Sequence, residues 1–327
     1  MRLASGCAIL LPRLFWFNGC MSTTASYTPH RASTIEQIQI RNDVSYRLRR
    51  WPAQDGAEVR APPLLLAHGW MDVGASFQRF VDTLSTAREV VAIDWRGFGG
   101  SMAPRPSDSY WFYDYYADLD AVIHHISPNA PIDLLGHSMG GNIAMIYAGT
   151  CPGRIQRLIN VEGFGLARTS PSDAPGRLAR WLSELKTPVS IRTFASVQEV
   201  AAHLMKRSPH MEEGFALWLA REWAECKADG RWHVRADAVH KRVNPILYRC
   251  DEVLAAWENI QASVLWVEGD KPEQTPLSSE RYSREEFEAR LDRIKTLKRL
   301  RINECGHMVH LEQPGKLAQA VESFLGD

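Results

Sequence analysis

The sequence predicts an α/β protein: a mostly parallel sheet covered by helices on both sides, with a helical insertion near its middle. Three observations predict it. Short apolar runs alternate with amphipathic stretches along most of the chain, the order expected of strand–helix units. The runs are continuous rather than alternating, as in strands buried on both faces. The alternation then stops between residues 165 and 260 and resumes after them.

Residues 34–40 and 44–51 alternate with period two and read as an opening hairpin. The run Pro-Leu-Leu-Leu-Ala at 63–67 is the first buried strand, and 90–93, 132–135, 158–161 and 264–267 repeat the pattern. Helices are expected at 75–84, 113–125 and 141–148. Core segments at 34–164 and 261–327 therefore flank the insertion at 165–260. That insertion reads as an all-helical cap, with helical spacing around 178–185, 197–205 and 215–226. It carries Trp181, Trp218, Trp223, Trp232 and Trp257 of the chain's eleven tryptophans. Aromatics at such spacing usually pack in a core, although some could line an acyl pocket.

Composition narrows the function classes. Lys plus Arg equals Asp plus Glu at 38 each, so the formal charge is zero and nothing favours a nucleic acid or another polyanion. Cys7, Cys20, Cys151, Cys226, Cys250 and Cys305 are widely spaced and contain no CxxC pair. They read as free thiols rather than a disulfide framework or a zinc site. Residues 1–33 read as an extension, disordered or upstream of a true start at Met21. Pro12 and Arg13 break its apolar stretch, and residues 17–20 make a poor lipoprotein signal. No run of about 20 apolar residues suggests a membrane span. A cytoplasmic protein is expected, with no metal or cofactor. The sequence leaves its oligomeric state open.

Four motifs carry the chemistry, each directly after an expected strand, where α/β sheets place their sites. Gly136-His137-Ser138-Met139-Gly140 lies between a strand and a helix. A nucleophile on so sharp a turn needs small neighbours, and the helix start behind it favours developing negative charge. Ser138 is the expected nucleophile. His68-Gly69-Trp70 follows the first buried strand; the amides of Trp70 and Met139 are the expected oxyanion donors. The stretch Asp94-Trp95-Arg96-Gly97-Phe98-Gly99-Gly100-Ser101 reads as structural, with Asp94 and Arg96 fixing the loop. Gly306-His307-Met308-Val309-His310 supplies the expected base, His307, while His310 reads as structural.

Together, His68-Gly69-Trp70-Met71-Asp72, DWRGFGGS, GHSMGG, VEGFG and GHMVHLEQP resemble the α/β-hydrolase superfamily over about residues 35–327, its serine hydrolase-like branch in particular. The resemblance implies an eight-stranded sheet, a cap after the sixth strand, no cofactor, and hydrolysis of an ester-like bond. Haloalkane dehalogenases and epoxide hydrolases are similar but carry Asp where this chain has Ser138. The acid partner of His307 stays open. In many members it stands three residues after a glycine behind the seventh strand, but here that residue is Pro272. Asp270 and Glu273 lie close by. Glu162, behind the sixth strand, occupies the alternative place.

The expected activity is hydrolysis of a small carboxylic ester through an acyl-enzyme. A thioesterase, an amidase and a C–C bond hydrolase would use the same residues. A non-catalytic ligand-binding protein on the same fold is the reading from another class.

Overall fold

The computed structural model describes residues 26–41, 44–53, 61–86, 88–101, 108–271 and 282–326. Its main sheet has eight strands. In chain order these are β1 (Thr34–Gln39), β2 (Ser45–Trp51), β3 (Leu64–Ala67), β4 (Val90–Ile93), β5 (Ile132–His137), β6 (Ile155–Val161), β10 (Ser263–Gly269) and β11 (Leu297–Ile302). Across the sheet the order is β1-β2-β4-β3-β5-β6-β10-β11. Only the pairings made by β2, with β1 and with β4, are antiparallel. The central strands β3 and β4 are buried at every position, as their unbroken apolar runs require.

Two hydrophobic cores cover the two faces. One is made with α2 (Phe112–Ile126) and α3 (Met139–Thr150), and the other with α1 (Gln78–Asp82) and α8 (Pro314–Leu325). The strand ends converge on one edge. Paired registers set Gly136 beside Asn160 and Val267 beside Val161, so β5, β6 and β10 end side by side.

The insertion departs from the all-helical expectation. It holds α4 (Ala174–Glu184), α5 (Val197–Arg207), α6 (Glu213–Trp223) and α7 (Cys250–Glu258), but also a three-stranded antiparallel sheet. Its strands are β7 (Thr193–Phe194), β8 (Ala224–Cys226) and β9 (Trp232–Val234). The helix expected at 215–226 therefore ends at Trp223. Asp229-Gly230, with Gly230 at φ 73°, turns β8 into β9; this Asp-Gly pair is the hairpin signal that helical spacing obscured.

Within the inserted segment, α7 packs against α3 and joins the core beside the main sheet. The contact is close. A Cβ on Gly149 of α3 would lie 1.8 Å from the carbonyl oxygen of Ala256 in α7. Alanine is the better helix former by about 1 kcal/mol, yet pushing two helices apart costs about 1–3 kcal/mol. Gly149→Ala should therefore lower the urea midpoint with an unchanged slope. A raised midpoint would refute this account of the contact.

The N-terminal reading is corrected in part. Residues 1–25 lie outside the described residues, but Tyr27 and Arg31 are packed against the fold. Tyr27 meets Phe215 edge-on at 4.9 Å and hydrogen-bonds Asp82. Buried Arg31 donates to the carbonyls of Pro52 and Arg88. No helix among the described residues is long and apolar enough to cross a membrane.

Candidate active site

Ser138 sits between β5 and α3 with φ 52° and ψ −114°, a strained conformation for a residue with a side chain. Its amide is fixed by the carbonyl of Val161 at 2.8 Å. The turn is tight enough to exclude side chains around it: a Cβ on Gly140 would lie 2.2 Å from the carbonyl oxygen of Ala67.

His307, from the loop behind β11, places Nε2 2.9 Å from Ser138 Oγ. Its Nδ1 lies 3.0 Å from Glu162 Oε2. Glu162 is 2% exposed and holds φ 59° directly after β6. Its other oxygen, Oε1, accepts the Gly269 amide at 2.6 Å. Asn160 steadies this turn, since its Oδ1 accepts the Gly163 amide at 2.8 Å. A hydroxyl, an imidazole and a carboxylate joined in this order can move a proton from oxygen to nitrogen and stabilise the resulting imidazolium.

Asp270 faces elsewhere. Its carboxylate accepts the Cys305 amide at 3.2 Å, and its pKa is lowered chiefly by the Glu304 amide. It therefore braces the loop that carries His307, whereas the carboxylate at His307 Nδ1 is Glu162. Glu273 and Pro272 lie outside the described residues.

Gly69 brings the Trp70 loop against the elbow: a Cβ there would lie 3.2 Å from Ser138 Cβ. Met139 opens α3. Neither the Trp70 nor the Met139 amide donates to a backbone carbonyl among the described residues. The structural histidines are pinned. His68 Nε2 accepts the Trp95 amide at 2.9 Å, so its Nδ1 carries the proton donated to Gly69 O at 2.7 Å. His310 is fully buried, 3.2 Å from Ser76 Oγ, which donates to Asp72. Asp72, His137 and His310 are the group of side chains that could in principle hold a metal among the described residues. Asp72 and His310 are already joined through Ser76.

The loop after β4 is organised as its residues suggest. Asp94 accepts the amides of Gly74 at 2.7 Å and Gly100 at 2.8 Å. Arg96 grips buried Asp118 through two hydrogen bonds of 2.7 and 2.6 Å.

A cavity of about 780 Å³ opens beside Ser138. Sequence reasoning looked for its walls among the cap tryptophans, and of those five only Trp257 lines it. Its apolar wall is shared between core helices, with Phe112 and Tyr116 of α2 and Ile146 and Tyr147 of α3, and the inserted segment, with Leu166, Ile246, Leu247 and Tyr248. Three of the other cap tryptophans have structural partners. Trp223 Nε1 donates to Met71 O at 2.9 Å, Trp181 Nε1 donates to Ser109 Oγ at 2.8 Å, and Trp218 stacks on Phe215.

A family profile described as "alpha/beta hydrolase fold" matches residues 62–314. The chain belongs to the α/β-hydrolase family. Within it, the chain is similar to a serine hydrolase-like protein of Danio rerio, 24% identical over 80% of this chain and 81% of that protein. It is also similar to serine hydrolase-like protein 2 of Homo sapiens, 25% identical over 84% and 90%. Among solved structures, the thioesterase domain from the curacin biosynthetic pathway superposes with a TM-score of 0.76 at 24% identity. That match covers 89% of this chain and 99% of the domain. At these identities the structural likeness speaks for the fold, and the eight-stranded sheet expected from the sequence is this family's.

Proposed function

We propose that this α/β-hydrolase cleaves a small carboxylic ester through an acyl-enzyme on Ser138. The observation that carries the reading is the unbroken chain from Ser138 through His307 to buried Glu162, at 2.9 and 3.0 Å. In this triad, His307 Nε2 takes the Ser138 proton as Oγ attacks the ester carbonyl, then returns it to the leaving alcohol. Glu162 accepts from Nδ1, which fixes the tautomer and balances the imidazolium. The Trp70 and Met139 amides are the donors for the oxyanion, supported by the start of α3. Nothing in the scheme calls for a cofactor.

The cavity walls support an apolar acyl group. Each methylene buried there can contribute about 0.8 kcal/mol, an upper limit of about four-fold in kcat/KM. On p-nitrophenyl esters, kcat/KM should therefore climb from acetate towards longer chains until the cavity is full. The same series offered as acyl-CoA thioesters is the discriminating arm. Thioesters preferred by orders of magnitude would replace the ester reading with a thioesterase, and no turnover of either series would favour a ligand-binding role. The four cysteines among the described residues are unpaired, which supports a reducing compartment and, with it, a cytoplasmic location.

A further inference from the structure

Ser138 has a second cavity on its cap side. It measures about 30 Å³ and is lined by His137, Ser138, His307, Ser208 and Trp223 among others. That volume suits water and little else. Two of these lining residues each carry a buried polar atom with no hydrogen-bond partner among the described residues: Ser208 Oγ and His137 Nδ1. The two residues are 1% exposed each. A buried hydroxyl and a buried imidazole nitrogen without partners are costly unless a small polar molecule completes them.

We propose that Ser208, at the C-terminal end of α5, positions the water that hydrolyses the acyl-enzyme. The inference rests on the acyl-enzyme reading above. Its hydrogen-bond accounting closes. His137 Nε2 lies 2.8 Å from the His307 carbonyl, so Nε2 carries the proton and Nδ1 is an acceptor. Burial pushes the His137 pKa well down, which keeps the ring neutral. A water between these groups donates one hydrogen to His137 Nδ1, turns the other to His307 Nε2, and accepts from the Ser208 hydroxyl. One lone pair remains for the acyl carbon.

In the step itself, a bond forms between water oxygen and acyl carbon as His307 Nε2 takes a water proton. The tetrahedral intermediate then collapses, the bond from acyl carbon to Ser138 Oγ breaks, and His307 returns the proton to Oγ. The carboxylic acid leaves. Ser208 touches neither the acyl carbon nor the serine and acts only through the water. Its backbone is held independently of its hydroxyl, since its amide donates to the carbonyls of Leu204 and Met205, both at 3.1 Å.

The test is Ser208→Ala, followed by stopped flow on a p-nitrophenyl ester whose fast acylation leaves deacylation limiting. The burst amplitude counts correctly folded sites, so every rate is taken per active site. The expected result is a fall in kcat of about ten-fold, the rate equivalent of one hydrogen bond. KM should fall in parallel and kcat/KM should stay within about two-fold. Intact-protein mass spectrometry should show the acyl adduct accumulating on the variant. An unchanged kcat per active site overturns the proposal. So does a fall in kcat/KM without an accumulating adduct, which would mean that Ser208 matters for acylation or for structure. If the wild-type protein shows neither a burst nor an adduct while turning the ester over, the acyl-enzyme reading itself fails and takes this inference with it.

Discussion

Glu162→Gln should lower kcat by about 10²- to 10⁴-fold while leaving the fold intact, and Asp270→Asn should leave kcat within about two-fold. The reason lies in the two donors that converge on Glu162. His307 Nδ1 approaches one oxygen at 3.0 Å and the Gly269 amide the other at 2.6 Å. A carboxylate can accept both, whereas a glutamine has one oxygen and one NH₂. If the oxygen stays with Gly269, the NH₂ faces His307 and holds the tautomer with its proton on Nε2, which cannot take the Ser138 proton. If the oxygen turns to His307, the buried NH₂ meets the Gly269 N–H and a donor is left unmatched, at a cost of about 1–3 kcal/mol. Both arrangements also lose the charge that balances an imidazolium. Asp270 loses far less, because its contacts are backbone amides of its own loop, those of Glu304 and of Cys305 at 3.2 Å, which an asparagine oxygen can still accept. Turnover abolished by Asp270→Asn and untouched by Glu162→Gln would reverse the assignment.

That pair of carboxylates also marks where the sequence stopped being legible. Both follow apolar strands and both neighbour a glycine, so local pattern could not separate them. The choice is made by which strands are neighbours. β5 pairs with β6 and β6 with β10, so Glu162 leaves the strand beside the nucleophile's own and turns inward at φ 59°. Such a positive φ on a glutamate is invisible in the sequence, although Asn160 and Gly163 around it form the kind of side-chain-closed turn that makes it possible.

Motifs confined to one strand end were legible for the opposite reason. Gly136 and Gly140, two residues either side of Ser138, are glycines because a Cβ would clash within the elbow or with the adjacent strand end, and a short sequence records that directly. Five strands were legible because burial on both faces leaves unbroken apolar runs, and the opening hairpin because its residues alternate; β11, Leu-Lys-Arg-Leu-Arg-Ile, is buried mainly at its end and shows neither pattern. The cap was read less well. Its short strands β7, β8 and β9 are too brief to show a period, and Trp223 at the end of α6 belongs equally to a helical stripe. The cavity beside Ser138 was read only in part: of the cap tryptophans Trp257 lines it, and Trp181, Trp218, Trp223 and Trp232 do not. Tyr116 and Tyr147 look like ordinary helix residues, and only the packing of α2, α3 and α7 shows that they face a common space. Ser208 carried no signal at all, because a lone serine at a helix end is ordinary until its hydroxyl is found buried without a partner.

The second large effect concerns Ser138 and His307 together. Ser138→Ala and His307→Ala should each lower kcat by about 10⁵- to 10⁶-fold, and the double variant should fall no further than the singles. Among the described residues the Ser138 Oγ proton has His307 Nε2 as its acceptor, at 2.9 Å. Without the imidazole the hydroxyl stays protonated and is a poor nucleophile at neutral pH; without the hydroxyl the imidazole has nothing to activate for acylation. Either loss therefore removes the same step, and removing both cannot remove it twice. What remains is set by groups neither change touches, the Trp70 and Met139 amides and the apolar cavity, so the three variants should share one residual rate above the uncatalysed reaction. KM should change little, because the cavity walls that hold the acyl chain are intact. The informative measurement is kcat of all three variants on one ester, with protein purified free of wild-type carry-over. A double variant slower than both singles by the product of their losses would mean that the two residues act independently. The 2.9 Å contact would then be a structural hydrogen bond, and the nucleophile would have to be sought elsewhere along the cavity.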